Sequence, residues 1–124
     1  VVVGDGRARL GLLSSRLQRH LSDPGLTADG IKAMVRDYEH NACRDPHQLS
    51  AMGYAECPYL MSKIFVHRLV HAYAALPGQR QRVFSAVFPT EADGASTAVR
   101  LALGTLGGTS SSGSMWENGA ETDL

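Results

Sequence analysis

The chain has 124 residues, with twelve basic and twelve acidic side chains and a formal net charge of zero. This length accommodates one domain with a modest core and disfavours a two-domain organisation. The balanced charge is not typical of a dedicated nucleic-acid-binding protein, because such proteins use a basic excess to neutralise phosphates. The longest apolar stretch, residues 58–76, is interrupted by lysine, arginine and histidine, so it is not predicted to span a membrane.

The first half of the chain shows helical patterns. Leucines recur at helical spacing over about residues 6–22, which predicts a first helix that ends at a Ser-Asp-Pro-Gly turn. Thr27 is the predicted N-cap of a second amphipathic helix, because its hydroxyl can accept a bond from an unpaired backbone N–H. Asp45 and Pro46 predict the start of a short third helix, which ends near Gly53.

The second half is more apolar. Residues 58–76 carry an apolar arc so wide that the segment is predicted to be a central helix, covered on most sides and ended by a Pro-Gly pair. A shorter helix is predicted over about residues 79–88. Thr90 and Asp93 have the spacing of a capping box before an Ala- and Leu-rich helix that runs to Leu103. Alternation typical of a strand is confined to the three valines at the start.

These elements predict an all-α fold. Residues 1–103 are expected to form one domain, a compact bundle of five or six helices around the central helix 58–76. From Gly104 the chain becomes rich in glycine and serine, a composition with little to bury. Residues 104–124 are therefore predicted to be a disordered tail.

Cysteine and histidine supply the candidate metal ligands. Cys43, Cys57, His67 and His71 are the set that could converge on a zinc ion, since the two histidines are four residues apart and share a helix face. Their spacing matches no standard zinc finger, and the alternative is that the cysteines are small buried residues. No metal or cofactor is predicted, and the four residues remain candidates. A disulfide between the cysteines is a further alternative to two free thiols, which are expected by default.

Signatures of catalysis and nucleotide binding are weak. No nucleophile–base motif is present, and the carboxylate pairs lie two residues apart, so they point in different directions. An enzyme is therefore not predicted. The start, Val-Val-Val-Gly-Asp-Gly, has the look of a strand that enters a phosphate-binding loop. Arg9 replaces the third glycine of G-x-G-x-x-G, however, and no strand–helix alternation is evident, which disfavours a nucleotide site.

Four residues are candidate contacts to a partner. Arg9 and Arg16 lie on the basic side of the first helix, which could contact an anionic partner. The alternative is that this side is an ordinary solvated face. Trp116 is a lone aromatic residue in a polar tail, which is typical of an anchor for a partner groove, although it can also pack on its own domain. Leu124 ends a four-residue segment that resembles the C-terminal ligands of PDZ domains.

Taken together, these patterns predict a non-enzymatic helical protein–protein interaction module, of adaptor or regulatory type. It is expected to bind a partner peptide, or a second copy of itself, through an apolar groove. A zinc-stabilised Cys/His helical domain and a weakly basic nucleic-acid-binding domain remain as alternatives. No cofactor is predicted, nucleic acid is disfavoured as a partner, and an intracellular location is favoured because no signal-peptide pattern is seen.

Overall fold

The computed structural model describes residues 2–5, 10–88, 91–106, 112–117 and 119–122. These residues form five α-helices, four β-strands and one 3₁₀ turn. The helices are α1 (Ser15–Ser22), α2 (Ala28–Arg44), α3 (Pro46–Ala51), α4 (Pro58–Ala74) and α5 (Glu91–Leu103). The strands are β1 (Val2–Asp5), β2 (Ser85–Phe88), β3 (Met115–Glu117) and β4 (Ala120–Thr122), and the 3₁₀ turn Leu10–Leu12 precedes α1.

Side-chain caps begin the first three helices. The Ser14 hydroxyl accepts a hydrogen bond from the Leu17 amide at the start of α1, at 3.3 Å. Thr27 accepts one from the Gly30 amide at 3.1 Å, and Asp45 caps α3. Each cap satisfies a backbone N–H that has no partner inside its helix. The predicted starts at Thr27 and Asp45 are confirmed, whereas the first helix is shorter than predicted within the described residues.

The helices α1–α4 enclose the larger of two cores. In α4, Met61 and Ile64 are completely buried, which confirms it as the central helix, although it ends at Ala74. The ring of Tyr38 packs edge-on against Tyr54 and Phe65, with centroids 5.3 and 6.0 Å apart. The buried apolar side chains of this core are Leu13, Leu17, Leu21, Ile31, Met34, Tyr38, Leu49, Tyr54, Met61, Ile64, Phe65 and Ala72.

A four-stranded sheet corrects the all-α prediction. Its order is β1-β2-β3-β4, with β1, β2 and β3 parallel and β4 antiparallel to β3. The predicted helix 79–88 is wrong, since Ser85–Phe88 is the strand β2 at the centre of the parallel pairs. A short apolar run does not distinguish a buried strand from a helix by periodicity alone. The molecule is mostly helical, but it combines helices with a parallel sheet.

The segment predicted as a disordered tail supplies two of the strands. Trp116 of β3 pairs with Ala86 of β2 on one side and Glu121 of β4 on the other. The prediction of disorder is therefore wrong for β3 and β4, because their backbone groups are paired in the sheet. Residues 107–111, 118 and 123–124 lie outside the described part.

The sheet carries α4 and α5 on opposite faces. Phe84 and Ala86 pack with Leu101 of α5 in the second core, joined by the half-buried Leu106 and Trp116. Ser85 points to the other face, because successive side chains of a strand alternate, and it lies beside residues of α4. The sheet is thus enclosed between helices, as parallel sheets generally are. In the described part of the chain, no helix is both long and apolar enough to cross a membrane.

Candidate functional site

The end of α4 lies beside the edge of the sheet where β2 and β3 begin. Gly113, just before β3, donates a hydrogen bond from its amide to the Val83 carbonyl just before β2, at 2.6 Å. An added Cβ at Gly113 would lie only 2.9 Å from the Cβ of Ala74, the last residue of α4. The end of α4 therefore lies at the amino edge of the parallel strands. The helix α4 also packs against β1.

The start of α5 lies near the carboxyl edge of the sheet. The helix α5 begins three residues after the end of β2, so its first turn lies there. In the first turns of α4, the Lys63 Nζ lies 5.2 Å from the centroid of the Tyr59 ring, a cation–π contact. Tyr59 is 47% exposed. Sequence reasoning missed this pair, although its spacing of four residues places both side chains on one helix face.

The parallel sheet also changes the assessment of the N-terminal glycines. The nucleotide hypothesis was disfavoured partly because no strand–helix alternation was evident, yet β1 is a strand that pairs in parallel with β2. That part of the reasoning is wrong. The absence of the third glycine still holds, since Arg9 occupies its place. Gly6 and Arg9 both lie outside the described residues.

The described side chains of the metal candidates, Cys57, His67 and His71, do not form a three-residue metal site. Cys57 is the N-cap of α4, with an exposed free thiol, so it forms no disulfide. His67 lies ten residues further along the same helix, about 15 Å away at the helical rise, and His71 lies one turn beyond it. The side chain of Cys43 lies outside the described part. Among the described residues, no group of three Cys, His, Asp or Glu side chains is placed to hold a metal ion.

His67 and His71 instead border a cavity of about 650 Å³ between the end of α4 and the amino edge of the sheet. The cavity is lined by Leu10, Ser22, Pro24, His67, Arg68, His71, Ser85, Ser112, Gly113, Ser114, Met115, Glu121 and Thr122. Hydroxyl groups make up a large part of this lining, while Leu10, Pro24 and Met115 supply apolar surface.

The His67 ring belongs to the core rather than to the cavity. It is 4% exposed, and neither ring nitrogen is accessible or has a hydrogen-bond partner among the described residues. Burial, with a smaller contribution from the positive charges of Lys63 and Arg68, lowers the pKa of His67 from 6.5 to about 4. The ring is therefore neutral at pH 7. Its inaccessible nitrogens do not bind a metal in this arrangement.

The two described partner candidates, Trp116 and Arg16, lie in different parts of the molecule. Trp116 is half-buried against the second core and donates from Nε1 to the Ser114 hydroxyl at 2.7 Å, so it packs on its own domain. Arg16 lies at a groove of about 320 Å³ between α1 and α2, where it donates to the Met52 carbonyl at 3.4 Å. Arg9 and Leu124 lie outside the described residues.

No protein-family model matches the chain, and neither a curated protein nor a solved structure does so. The fold and the placement of its charged groups are therefore the basis on which we infer a function.

Proposed function

We propose that this protein binds a small anionic organic ligand at the carboxyl edge of its parallel sheet. The observation that supports this proposal is the parallel pairing of β1, β2 and β3 between helices. In open α/β sheets, ligands bind outside the carboxyl ends of the strands. The reason is geometric, because every helix that follows a parallel strand begins at this edge and leaves unpaired backbone N–H groups there.

The charge of the ligand follows from what begins at that edge. We infer that α4, whose end lies at the amino edge, begins near the carboxyl edge. Its first turn and that of α5 then each carry a partial positive charge there, since the peptide dipoles of a helix add along its axis. A ligand carboxylate or phosphate is stabilised by such helix starts. Lys63 adds a full positive charge beside the exposed ring of Tyr59. Both contributions favour an anion.

A thermal-shift screen tests this proposal. The purified chain is screened against sugar phosphates, nucleoside phosphates and dicarboxylic acids, because a ligand at about 100 times its dissociation constant stabilises the folded state by about 2.7 kcal/mol. Lys63→Ala should weaken binding of any compound found by about 10-fold, through loss of its charge.

Lys32→Ala is the matched control. The chain has two lysines, and Lys32 also lies over a tyrosine ring, with its Nζ 5.6 Å from the centroid of Tyr73. Lys32→Ala should leave affinity unchanged. The proposal is rejected if no anion in the panel raises the melting temperature, or if the two variants weaken binding equally.

A second proposal retains the expected non-enzymatic interaction function. The groove between α1 and α2 has Leu17 and Met34 in its floor, with Arg16 and Asp37 at its rim. Methionine adapts its shape to irregular apolar partners, so the groove suits one apolar side chain of a partner peptide. Arg16 then offers its charge to an acidic residue of the same peptide.

Selection from a random peptide library tests the groove. Peptides that bind the wild-type chain should lose most of their affinity for Arg16→Glu. Arg19→Glu is the control, because Arg19 is also exposed on α1 but does not line the groove. Equal loss in both variants would indicate a general charge effect and would rule out this groove.

A further inference from the structure

The helix α5 is apolar on the side that faces away from the sheet. Thr97 and Leu101 are its buried contacts, each 1% exposed. On the opposite side lies a second apolar stripe, which we call the outward face of α5 and which consists of Ala95, Val99, Ala102 and Leu103. These residues recur at i, i+4, i+7 and i+8, the spacing of a buried helix face, and all four are exposed.

The exposure of this face is unusual within the molecule. Leu103 is 74% exposed and Val99 is 54% exposed. In the described residues, three other large apolar side chains are exposed, namely Leu12, Tyr59 and Leu76, and each is alone on its element. Single exposed apolar residues are normal on a protein surface, whereas a contiguous apolar stripe is typical of an interaction site. A helix that is apolar on both sides is usually covered on both sides.

Charge indicates what covers the outward face. The four residues carry no charge, and the neighbouring Arg100 reaches toward the β3–β4 turn, where its Nη1 lies 2.8 Å from the position of an added Cβ at Gly119. A charged partner therefore finds no complementary group on the stripe. The whole chain has a formal net charge of zero, so two copies do not repel each other at long range.

Shape points to the same occupant. Along the stripe, the small side chains of Ala95 and Ala102 alternate with the larger ones of Val99 and Leu103. When two such helices pack about a two-fold axis, each large side chain of one copy can fit against a small side chain of the other. We propose that two copies of this chain associate through the outward face of α5.

The expected association is weak and reversible. From Ala95 to Leu103 the stripe is about 13 Å long at the helical rise. A standard stable interface involves about 20–30 residues on each partner, whereas this face consists of four. A dissociation constant in the micromolar range or above, on the order of 10⁻⁵ M, is therefore expected.

Sedimentation velocity over a concentration series tests the proposal. The wild-type chain should shift from monomer toward dimer as concentration rises. Leu103→Asp should raise the dissociation constant by at least about 10-fold, because it buries a carboxylate of each copy in the apolar contact. Val99→Asp is a second variant with the same expected result, and circular dichroism verifies that both remain folded.

Leu76→Asp is the matched control, since Leu76 is an exposed leucine outside α5, and it should dimerise like the wild type. A wild-type chain that stays monomeric throughout the series would overturn the proposal and leave this face to a different protein. Loss of the dimer in Leu76→Asp to the same extent would overturn it as well.

Discussion

The helical half of the molecule, α1–α4, and the sheet half, β1–β4 with α5, are held together by contacts of different range. In the helical half, consecutive helices with their own caps pack into one large core. In the sheet half, strands of three or four residues pair across long separations in the chain, and the core contains three fully buried side chains. The core of the sheet half has fewer buried side chains than that of the helical half, so we expect the two halves to respond separately when one core is weakened.

The largest expected effect comes from truncating one leucine in each core. Leu101 is 1% exposed in the sheet half and Leu49 is 2% exposed in the helical half. Each substitution by alanine should cost about 3 kcal/mol, from lost burial and the remaining cavity. Trp116 is the single tryptophan, so its fluorescence reports on the sheet half, while far-ultraviolet circular dichroism reports mainly on the helices.

In Leu101→Ala, the fluorescence midpoint in urea should fall further than the midpoint measured by circular dichroism. Leu49→Ala is the matched variant and should give the opposite order. If the fluorescence and circular dichroism midpoints fall by the same amount in both variants, the two halves unfold as one cooperative unit. This result would contradict their separate response.

The next effect concerns His67, which joins the halves through α4. Its pKa is about 4 in the folded chain, against an ordinary value of 6.5. Between these values the unfolded chain binds a proton that the folded chain does not. Protonation of His67 therefore leaves the free energy of unfolding unaffected above about pH 7 and lowers it by up to about 3 kcal/mol as the pH drops to 4.

Urea unfolding at a series of pH values measures this effect. His67→Leu should flatten the decline between pH 6.5 and 4, and it should stabilise the protein by about 1 kcal/mol at pH 7, because the two unpartnered nitrogens are removed. Gln48→Leu, at an exposed position of α3, should keep the wild-type slope because it changes no ionisable group. An unchanged slope in His67→Leu would show that His67 does not stay neutral.

A smaller effect is expected at Gly113, where the sheet half meets the end of α4. Gly113 has φ of +91°, and an added Cβ would be 2.9 Å from Ala74. Gly113→Ala should cost about 2 kcal/mol, from both backbone strain and the close contact. Gly78→Ala is the control, since φ is +76° with no atom within 4 Å of the added Cβ, and it should cost less. If both variants have the same midpoint in thermal unfolding, the close packing of Gly113 against Ala74 does not contribute to stability.

The smallest effect compares hydroxyl groups at helix ends in the two halves. Thr27→Ala should cost about 1 kcal/mol, because the Gly30 amide loses its cap. Thr105→Ala should cost less, since the Arg100 carbonyl that its hydroxyl bonds also accepts from the amides of Thr105 and Leu106. Chemical denaturation of both variants gives the difference, and a larger loss in Thr105→Ala would contradict the importance of local caps in the helical half.

The same contrast explains which features were predictable from sequence. The caps at Thr27 and Asp45 and the central position of α4 follow from neighbouring residues, so local patterns were sufficient. The strand β2 was mistaken for a helix because the partners that hold it lie in β1 and β3, far away in the chain. The strand β3 was not predicted because the segment before it is rich in glycine and serine. Its pairing also depends on a distant partner, the strand β2.

The candidate sites were less predictable than the helices. The spacing of Tyr59 and Lys63 is visible in the sequence, but the ligand site proposed near them depends on a sheet that local patterns did not indicate. The outward face of α5 shows a related difficulty. Its spacing is helical, yet only tertiary packing decides that Leu101 faces the core while Val99 and Leu103 face away.

The pairing of β1 with β2 also has a consequence for the order of folding. Val2 pairs with Ser85, which lies 83 residues later, whereas Ser85 pairs with Met115 only 30 residues further on. Closing the longer loop costs about 1 kcal/mol more in chain entropy. Such distant contacts slow folding, and the four helices between them can form first. During synthesis β1 is made before the four helices and before its partner β2. Until β2 is made, the backbone donors and acceptors of β1 have no strand to pair with and stay exposed.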